Sequence, residues 1–161
     1  MINVIFVCLG NICRSPMAEL IFKKQVKDAG LSLSFNVTSF GTSDCEEGNS
    51  IYPPAKRTLE KYGVEGTHRA KQISLKDIIN SDFVLVMDSS NLIDILRLTG
   101  SKYREKIFKL CDFTEAPRDV QDPWYTRDFE RAYSDISEGC AAFLKYIETN
   151  RAEMLNYDIR H

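Results

Sequence analysis

Ile2-Asn3-Val4-Ile5-Phe6-Val7-Cys8-Leu9-Gly10-Asn11-Ile12-Cys13-Arg14-Ser15-Pro16 follows the initial Met1, and its three parts decide the fold. Ile2 to Val7 is a nearly continuous β-favouring run, as expected of a strand covered on both faces in a parallel sheet. It is far too short to cross a bilayer, which takes roughly 20 apolar residues. Ser15-Pro16 reads as a helix start, with serine as N-cap and proline at the first helical position. Ala18, Ile21, Phe22, Val26 and Ala29 then share one helix face, and Gly30 is placed to end it. Residues 8–15 join strand to helix at the carboxyl end of the strand, where open α/β sheets bind ligands.

The rest of the chain repeats the alternation. Leu33 to Phe40 is a second candidate strand, and the stretch from Gly41 to Pro53 is loop. Pro54 to Tyr62 is a short helix stopped by Gly63. Phe83 to Met87 reads as a third strand, and Ser89 or Ser90 as the cap of a helix carrying Leu92, Ile95 and Leu96 up to Gly100. Ile107, Phe108 and Leu110 suggest a fourth strand. After an irregular stretch from Asp112 to Arg127, apolar residues from Phe129 to Ile147 recur with a helical period. The order β-α-β-α-(α)-β-α-β-α predicts an α/β fold: an open four-stranded parallel sheet with helices on both faces.

A chain of 161 residues is the length of one domain, here expected to span residues 1–161. With 43% hydrophobic and 27% charged residues it has the composition of a globular protein, not a disordered or membrane one. Lys and Arg number 21 against 23 Asp and Glu, a net charge of -2, so there is no overall basic field for nucleic acid or anionic lipid. Any anion must be held locally. Cys8, Cys13, Cys45, Cys111 and Cys140 are an odd, scattered set without a secretory leader, which fits a reducing cytosol. No metal is expected, because Cys8 and Cys13 have no second pair at ligand spacing and His68 and His161 are the two histidines.

Cys8 and Arg14 are separated by five residues in the loop, a weak pattern by itself. Its position adds meaning. A loop wrapping toward a helix N-terminus turns backbone N–H groups and the positive end of the helix dipole inward, which binds phosphate without a basic surface. Gly10 and Asn11 tolerate the left-handed backbone such a cradle requires. A thiol at a helix N-terminus beside a guanidinium is in the setting of a reactive thiolate. Arginine can grip two oxygens of a tetrahedral anion, which lysine cannot do. The competing reading is a buried strand-end Cys8 and a solvated Arg14; loop, cap and arginine together weigh against it.

The chain resembles the low-molecular-weight protein tyrosine phosphatases in the signature Cys8 to Ser15 followed by Pro16-Met17-Ala18-Glu19. Ser39-Phe40-Gly41-Thr42-Ser43-Asp44, His68-Arg69-Ala70-Lys71-Gln72 and Met87-Asp88-Ser89-Ser90-Asn91-Leu92 look like family segments in their usual order. Asp122-Pro123-Trp124-Tyr125 is similar to the family's acid loop, with Asp128-Phe129-Glu130 following. The resemblance covers about residues 2–147. It implies a four-stranded parallel sheet, with Cys8 as nucleophile, Arg14 as phosphate binder and Asp122 as proton donor. Leu9, Gly10, Asn11, Ile12, Cys13 and Ser15 complete the phosphate loop. Asn11 and Ser15 would join Ser39 and His68 in a hydrogen-bond network, the Ser15 hydroxyl also assisting the leaving thiolate. Asp88 would position Arg14, an N-cap role for the next helix competing. Trp124 and Tyr125 would flank a phenyl ring. Expelling a tyrosyl group, whose pKa is near 10, independently calls for such an acid.

Three departures qualify the resemblance. Cys45 stands where the family commonly has a bulky wall residue, so that side of the cleft is expected to be wider. Trp124 replaces the first of two tyrosines often found after Asp-Pro. Residues 148–161, with Met154, Leu155, Tyr157 and Ile159, run past the usual end and read as a helical extension. Expected partners are phosphotyrosine proteins, and inorganic phosphate or other oxyanions as product or inhibitor, for a cytoplasmic monomer or weak dimer needing no cofactor. Cys8 and Cys13 are expected to form a disulfide on oxidation, since a reactive thiolate is easily oxidised and a second thiol in the loop can trap it. An arsenate reductase of related fold would need a closely spaced resolving pair, which Cys45, Cys111 and Cys140 do not offer in sequence. A phosphocysteine carrier should preserve the intermediate that Arg14 and Asp122 look built to hydrolyse. Loss of the nucleophile or the acid would signal a non-catalytic phosphotyrosine-binding module, and neither is lost; a redox sensor built on Cys8 and Cys13 is the remaining alternative.

Overall fold

The computed structural model describes residues 1–158. Strands β1 (Ile2–Cys8), β2 (Phe35–Gly41), β3 (Phe83–Val86) and β4 (Ile107–Lys109) form one all-parallel sheet in the order β2-β1-β3-β4. The helices are α1 (Arg14–Asp28), α2 (Pro53–Lys61), α3 (Leu75–Ile79), α4 (Ser89–Thr99), α5 (Pro123–Thr126) and α6 (Phe129–Asn150). The parallel sheet covered on both faces is the one expected from the alternation of strand and helix patterns.

The period of two along a strand divides the core. Ile2, Val4, Phe6 and Cys8 of β1 face the larger apolar cluster with α1 and α6, while Ile5 and Val7 face a smaller one with Ile78 of α3 and Ile95 of α4. Phe22 of α1 anchors the larger cluster, its ring 5.7 Å from Phe6, 5.2 Å from Phe35 and 5.5 Å from Phe143. Each buried ring of this kind contributes about 1.5–3 kcal/mol. Because Cys8 shares the parity of Phe6, its thiol leaves the sheet on the α1 side. Ser39, of the same parity as Phe35 and Val37, faces α1 as well.

Several boundaries differ from expectation. Helix α1 starts one residue before Ser15, with Cys13 as an N-cap that makes no side-chain hydrogen bond; the Ser15 hydroxyl is diverted to Cys8. Helix α4 is capped by Asp88, neither by Ser89 nor by Ser90, because an Asp88–Asn91 capping box satisfies both backbone groups. Ser32–Ser34 is a 3₁₀ turn, so β2 begins at Phe35 and Leu33 is 63% exposed. Of the extra tail residues, 148–150 complete the last helix, and the described residues after them do not continue it. After Asn150 and a 3₁₀ turn at Ala152–Met154, the chain returns along the α1–β2 turn. There the Asp158 N–H donates to the Gly30 carbonyl at 2.6 Å and Asn156 exchanges hydrogen bonds with Ser34. Ile159 and His161 lie outside the described residues.

Candidate active site

The carboxyl ends of β1 and β3 open into a cleft of about 200 Å³. Cys8, Leu9, Gly10, Asn11, Ile12, Cys13 and Arg14 form its floor, with Asp122, Trp124 and Tyr125 on one side and Cys45 and Glu46 on the other. Trp124 is 45% and Tyr125 76% exposed, so this tryptophan is cleft wall and not core. Among the described residues, no hydrogen bond within the protein engages the N–H groups of residues 9–14. They remain available to an anion at the N-terminus of α1.

One residue fixes the loop. Asn11 has φ 59°, the left-handed conformation, whereas Gly10 does not adopt a positive φ and the expectation for it fails. Asn11 is 1% exposed, and its side chain makes all four hydrogen bonds an amide can make. Its Nδ2 donates to Ser15 Oγ at 2.7 Å and Ser39 Oγ at 3.1 Å. Its Oδ1 accepts from the Lys71 N–H at 3.0 Å and from His68 Nε2 at 2.7 Å. The backbone donor at Lys71 sets which end of the amide is oxygen, and so assigns a proton to His68 Nε2. Gly41 allows this approach: a Cβ there would lie 2.8 Å from the Leu9 carbonyl oxygen and 3.2 Å from Asn11 Cβ.

The network runs from the nucleophile candidate into the core. Ser15 Oγ lies 2.9 Å from Cys8 Sγ, and the Ser15 N–H points at the same sulfur at 3.4 Å. Having accepted from Asn11, the Ser15 hydroxyl can give its proton to sulfur. Ser39 Oγ donates to Glu19 Oε1 at 2.8 Å, and His68 Nδ1 stands 3.4 Å from the same oxygen. Burial pulls the His68 pKa down, with Glu19 opposing. Glu19, only 6% exposed, carried no assigned role in the sequence pattern. Its signal was an acid one helical turn after Ser15 on the buried face of α1.

Arg14 is 2% exposed. Its Nη1 donates to Asp88 Oδ2 at 2.6 Å and to the Val120 carbonyl at 2.8 Å, which uses both protons of that nitrogen. The Nε–Nη2 edge is left for a bidentate oxyanion. Asp88 thus performs both roles weighed for it: Oδ1 caps α4 through the Asn91 N–H at 2.8 Å, and Oδ2 holds Arg14. Asp122 Oδ2 lies 3.4 Å from Arg14 Nη2, while Oδ1 caps the turn of α5 through the Trp124 N–H. Burial would lower the Arg14 pKa, but Cys8, Asp88 and Asp122 raise it overall. Burial pushes the Cys13 thiol up to about 12, with the Cys8 and Asp122 charges adding to it. Cys111 and Cys140 are fully buried and outside the cleft, and burial raises both.

A parallel sheet whose first strand runs into a Cys-x₅-Arg loop at a helix N-terminus, with an aspartate facing the arginine, defines an α/β protein with an anion-binding cleft. The chain belongs to the low molecular weight phosphotyrosine protein phosphatase family, whose model matches residues 3–153. It is 38% identical over 150 residues to the low molecular weight phosphotyrosine protein phosphatase of Sus scrofa, covering 90% of this chain and 95% of that one. Among solved structures, a protein tyrosine phosphatase from Entamoeba histolytica with Hepes in the active site superposes with a TM-score of 0.89 at 29% identity, covering 94% and 99% of the two chains. The drosophila arginine phosphatase superposes with a TM-score of 0.85 at 30% identity, covering 91% and 98%. Among the described residues, no helix is long and apolar enough to cross a membrane.

Proposed function

We propose that this chain is a cytoplasmic protein tyrosine phosphatase, acting as one domain of residues 1–161 without metal or cofactor on phosphotyrosine and aryl phosphate monoesters. The observation that carries the proposal is the convergence on one cleft of Cys8 Sγ beside a hydroxyl at 2.9 Å and of Arg14 Nη2 beside Asp122 at 3.4 Å. The phosphate sits on the N–H groups of the loop and the free edge of Arg14. The Cys8 thiolate attacks phosphorus, the P–O bond to the aryl group breaks, and Asp122 gives its proton to the departing oxygen. Water then loses a proton to Asp122 and attacks the cysteinyl-phosphate, releasing inorganic phosphate. The thiolate leaves, stabilised by the Ser15 hydroxyl. Trp124 and Tyr125 supply the aromatic wall, and Cys45 leaves the opposite wall open.

Phosphate release from a phosphotyrosine peptide by wild type and Cys8→Ser tests this reading, with phosphoserine, phosphoarginine and arsenate as separate arms and a chelator as control. Release from phosphotyrosine alone, lost in Cys8→Ser and unaffected by chelation, is expected. Mass spectrometry of the acid-quenched reaction should find phosphate on Cys8. Preference for phosphoarginine, arsenate reduction, or metal-restored activity after chelation would overturn the substrate class or the mechanism. The oligomeric state consistent with the proposal is a monomer or weak dimer.

A further inference from the structure

We infer that Asp119, held by Lys109 and Ser89, is a positioning residue for the general acid. The three side chains fasten the segment that delivers Asp122 to the same turn that orients Arg14. This rests on the proposed role of Asp122.

From Thr114 to Asp122 the chain has no regular secondary structure, so no backbone ladder sets the place of the acid. Three consecutive residues do so instead. Arg118 Nη2 reaches Asp135 at 2.9 Å and Glu138 at 2.6 Å, both on α6. Asp119 Oδ1 accepts from Lys109 Nζ at 3.0 Å and from the Ser89 hydroxyl at 3.4 Å, while Lys109 also donates to Ser89 Oγ at 3.2 Å. Val120 is fully buried; its N–H donates to the Met87 carbonyl at 2.9 Å and its carbonyl takes Arg14 Nη1. Only Gln121 separates Val120 from Asp122, two steps of about 3.8 Å between neighbouring Cα atoms.

The geometry is specific. Lys109 is the last residue of β4 and Ser89 the first of α4. Ser89 adjoins Asp88, the carboxylate on Arg14. The Lys109–Ser89–Asp119 triangle therefore ties the acid segment to the turn that aims the guanidinium, so proton donor and phosphate binder share one reference point. Burial pushes the Asp119 carboxyl up, but hydrogen bonds from Lys109 and Ser89 outweigh it and keep the group below the usual carboxylate range. The side chains of Lys109 and Asp119 are 22% and 33% exposed, so solvent and salt weaken the pair and its effect is modest.

A merely stabilising ion pair would alter activity equally on every substrate. A positioning role would not, because proton donation matters most when the departing oxygen is basic. Lys109→Met and Asp119→Asn are each expected to lower kcat/KM on phenyl phosphate by about two- to fivefold, with little change on p-nitrophenyl phosphate. Lys109→Arg should retain the wild-type ratio between the substrates, and inhibition by inorganic phosphate should not move. Asp122→Ala is the reference. If it discriminates strongly between the substrates while the Lys109 and Asp119 variants lose equally on both or on neither, the anchoring role is overturned and the acid stands. If Asp122→Ala shows no discrimination, both fall. Should a variant fail to fold in urea titrations, the same substrate ratio can be followed in wild type as salt is raised. It should fall as the pair is screened, and a ratio independent of salt would count against the inference.

Discussion

Replacing Asn11 by glycine and, separately, by alanine distinguishes two jobs of one buried residue. Both changes remove the amide, leaving the Lys71 N–H and His68 Nε2 without the acceptor they hold at 3.0 and 2.7 Å. Ser15 and Ser39 keep other partners, Cys8 and Glu19. Two orphaned donors at about 1–3 kcal/mol each put the loss for Asn11→Gly at about 2–6 kcal/mol, a large share of the roughly 5–15 kcal/mol of a typical domain. The φ of 59° then separates the variants. Alanine in that conformation costs about 1–2 kcal/mol that glycine does not, while glycine loses about 0.4–1 kcal/mol through its freer unfolded chain. Asn11→Gly should therefore be the more stable by about 0.5–1 kcal/mol, roughly 2 °C in Tm at this size. This reverses the usual order of the two residues. Equilibrium urea unfolding with matched m-values measures the difference, and kcat/KM on p-nitrophenyl phosphate should fall in both variants. An alanine variant as stable as the glycine one would refute the claim that the left-handed turn is held against its own strain by the amide.

Asp122→Ala should slow release of an unactivated phenol by about 10²- to 10⁴-fold but release of p-nitrophenol far less; equal losses remove Asp122 from the acid role. Gly41→Ala drives a Cβ to 2.8 Å from the Leu9 carbonyl, so the loop must move, and weaker inhibition by inorganic phosphate together with lower kcat/KM is expected. Unchanged phosphate inhibition would show that the loop absorbs the methyl group. After peroxide, a Cys8–Cys13 disulfide should let added thiol restore activity in wild type but much less in Cys13→Ser. Because the Cys13 thiol is pushed up to about 12, its thiolate is scarce at pH 7 and rises about tenfold per pH unit. The reversible share of oxidation should therefore grow between pH 7 and 8.5 in wild type alone, and a pH-independent share would argue for another trapping thiol.

The parallel sheet was legible because its central strands β1 and β3 are covered on both faces and announce themselves as nearly continuous apolar runs. The caps were less so: three consecutive candidates, Asp88, Ser89 and Ser90, compete for one helix start, and the Asn91 side chain that completes the box decides it. Ser39 illustrates an intermediate case. Its side of the sheet follows from the parity of Phe35 and Val37, but its hydrogen-bond partner depends on where α1 crosses. Glu19 is that partner, and a lone acid in an apolar helix face gives no hint of whether it meets a lysine at the surface or a serine on the next strand. In fact it meets both, with Lys23 at 2.7 Å and Ser39 at 2.8 Å.

Least visible in the sequence is the link from Arg14 to Val120. It depends on β1 and β3 being adjacent in the sheet, which brings the end of β3, and the chain that crosses it, over the first loop. A carbonyl carries no side-chain signature, so no motif marks Val120. Yet that carbonyl accounts for the orientation of Arg14: with Asp88 it consumes both protons of Nη1 and turns the remaining edge toward the cleft. The Cys-x₅-Arg spacing places a cation near a thiol, and the sheet order then determines which face of that cation meets the substrate.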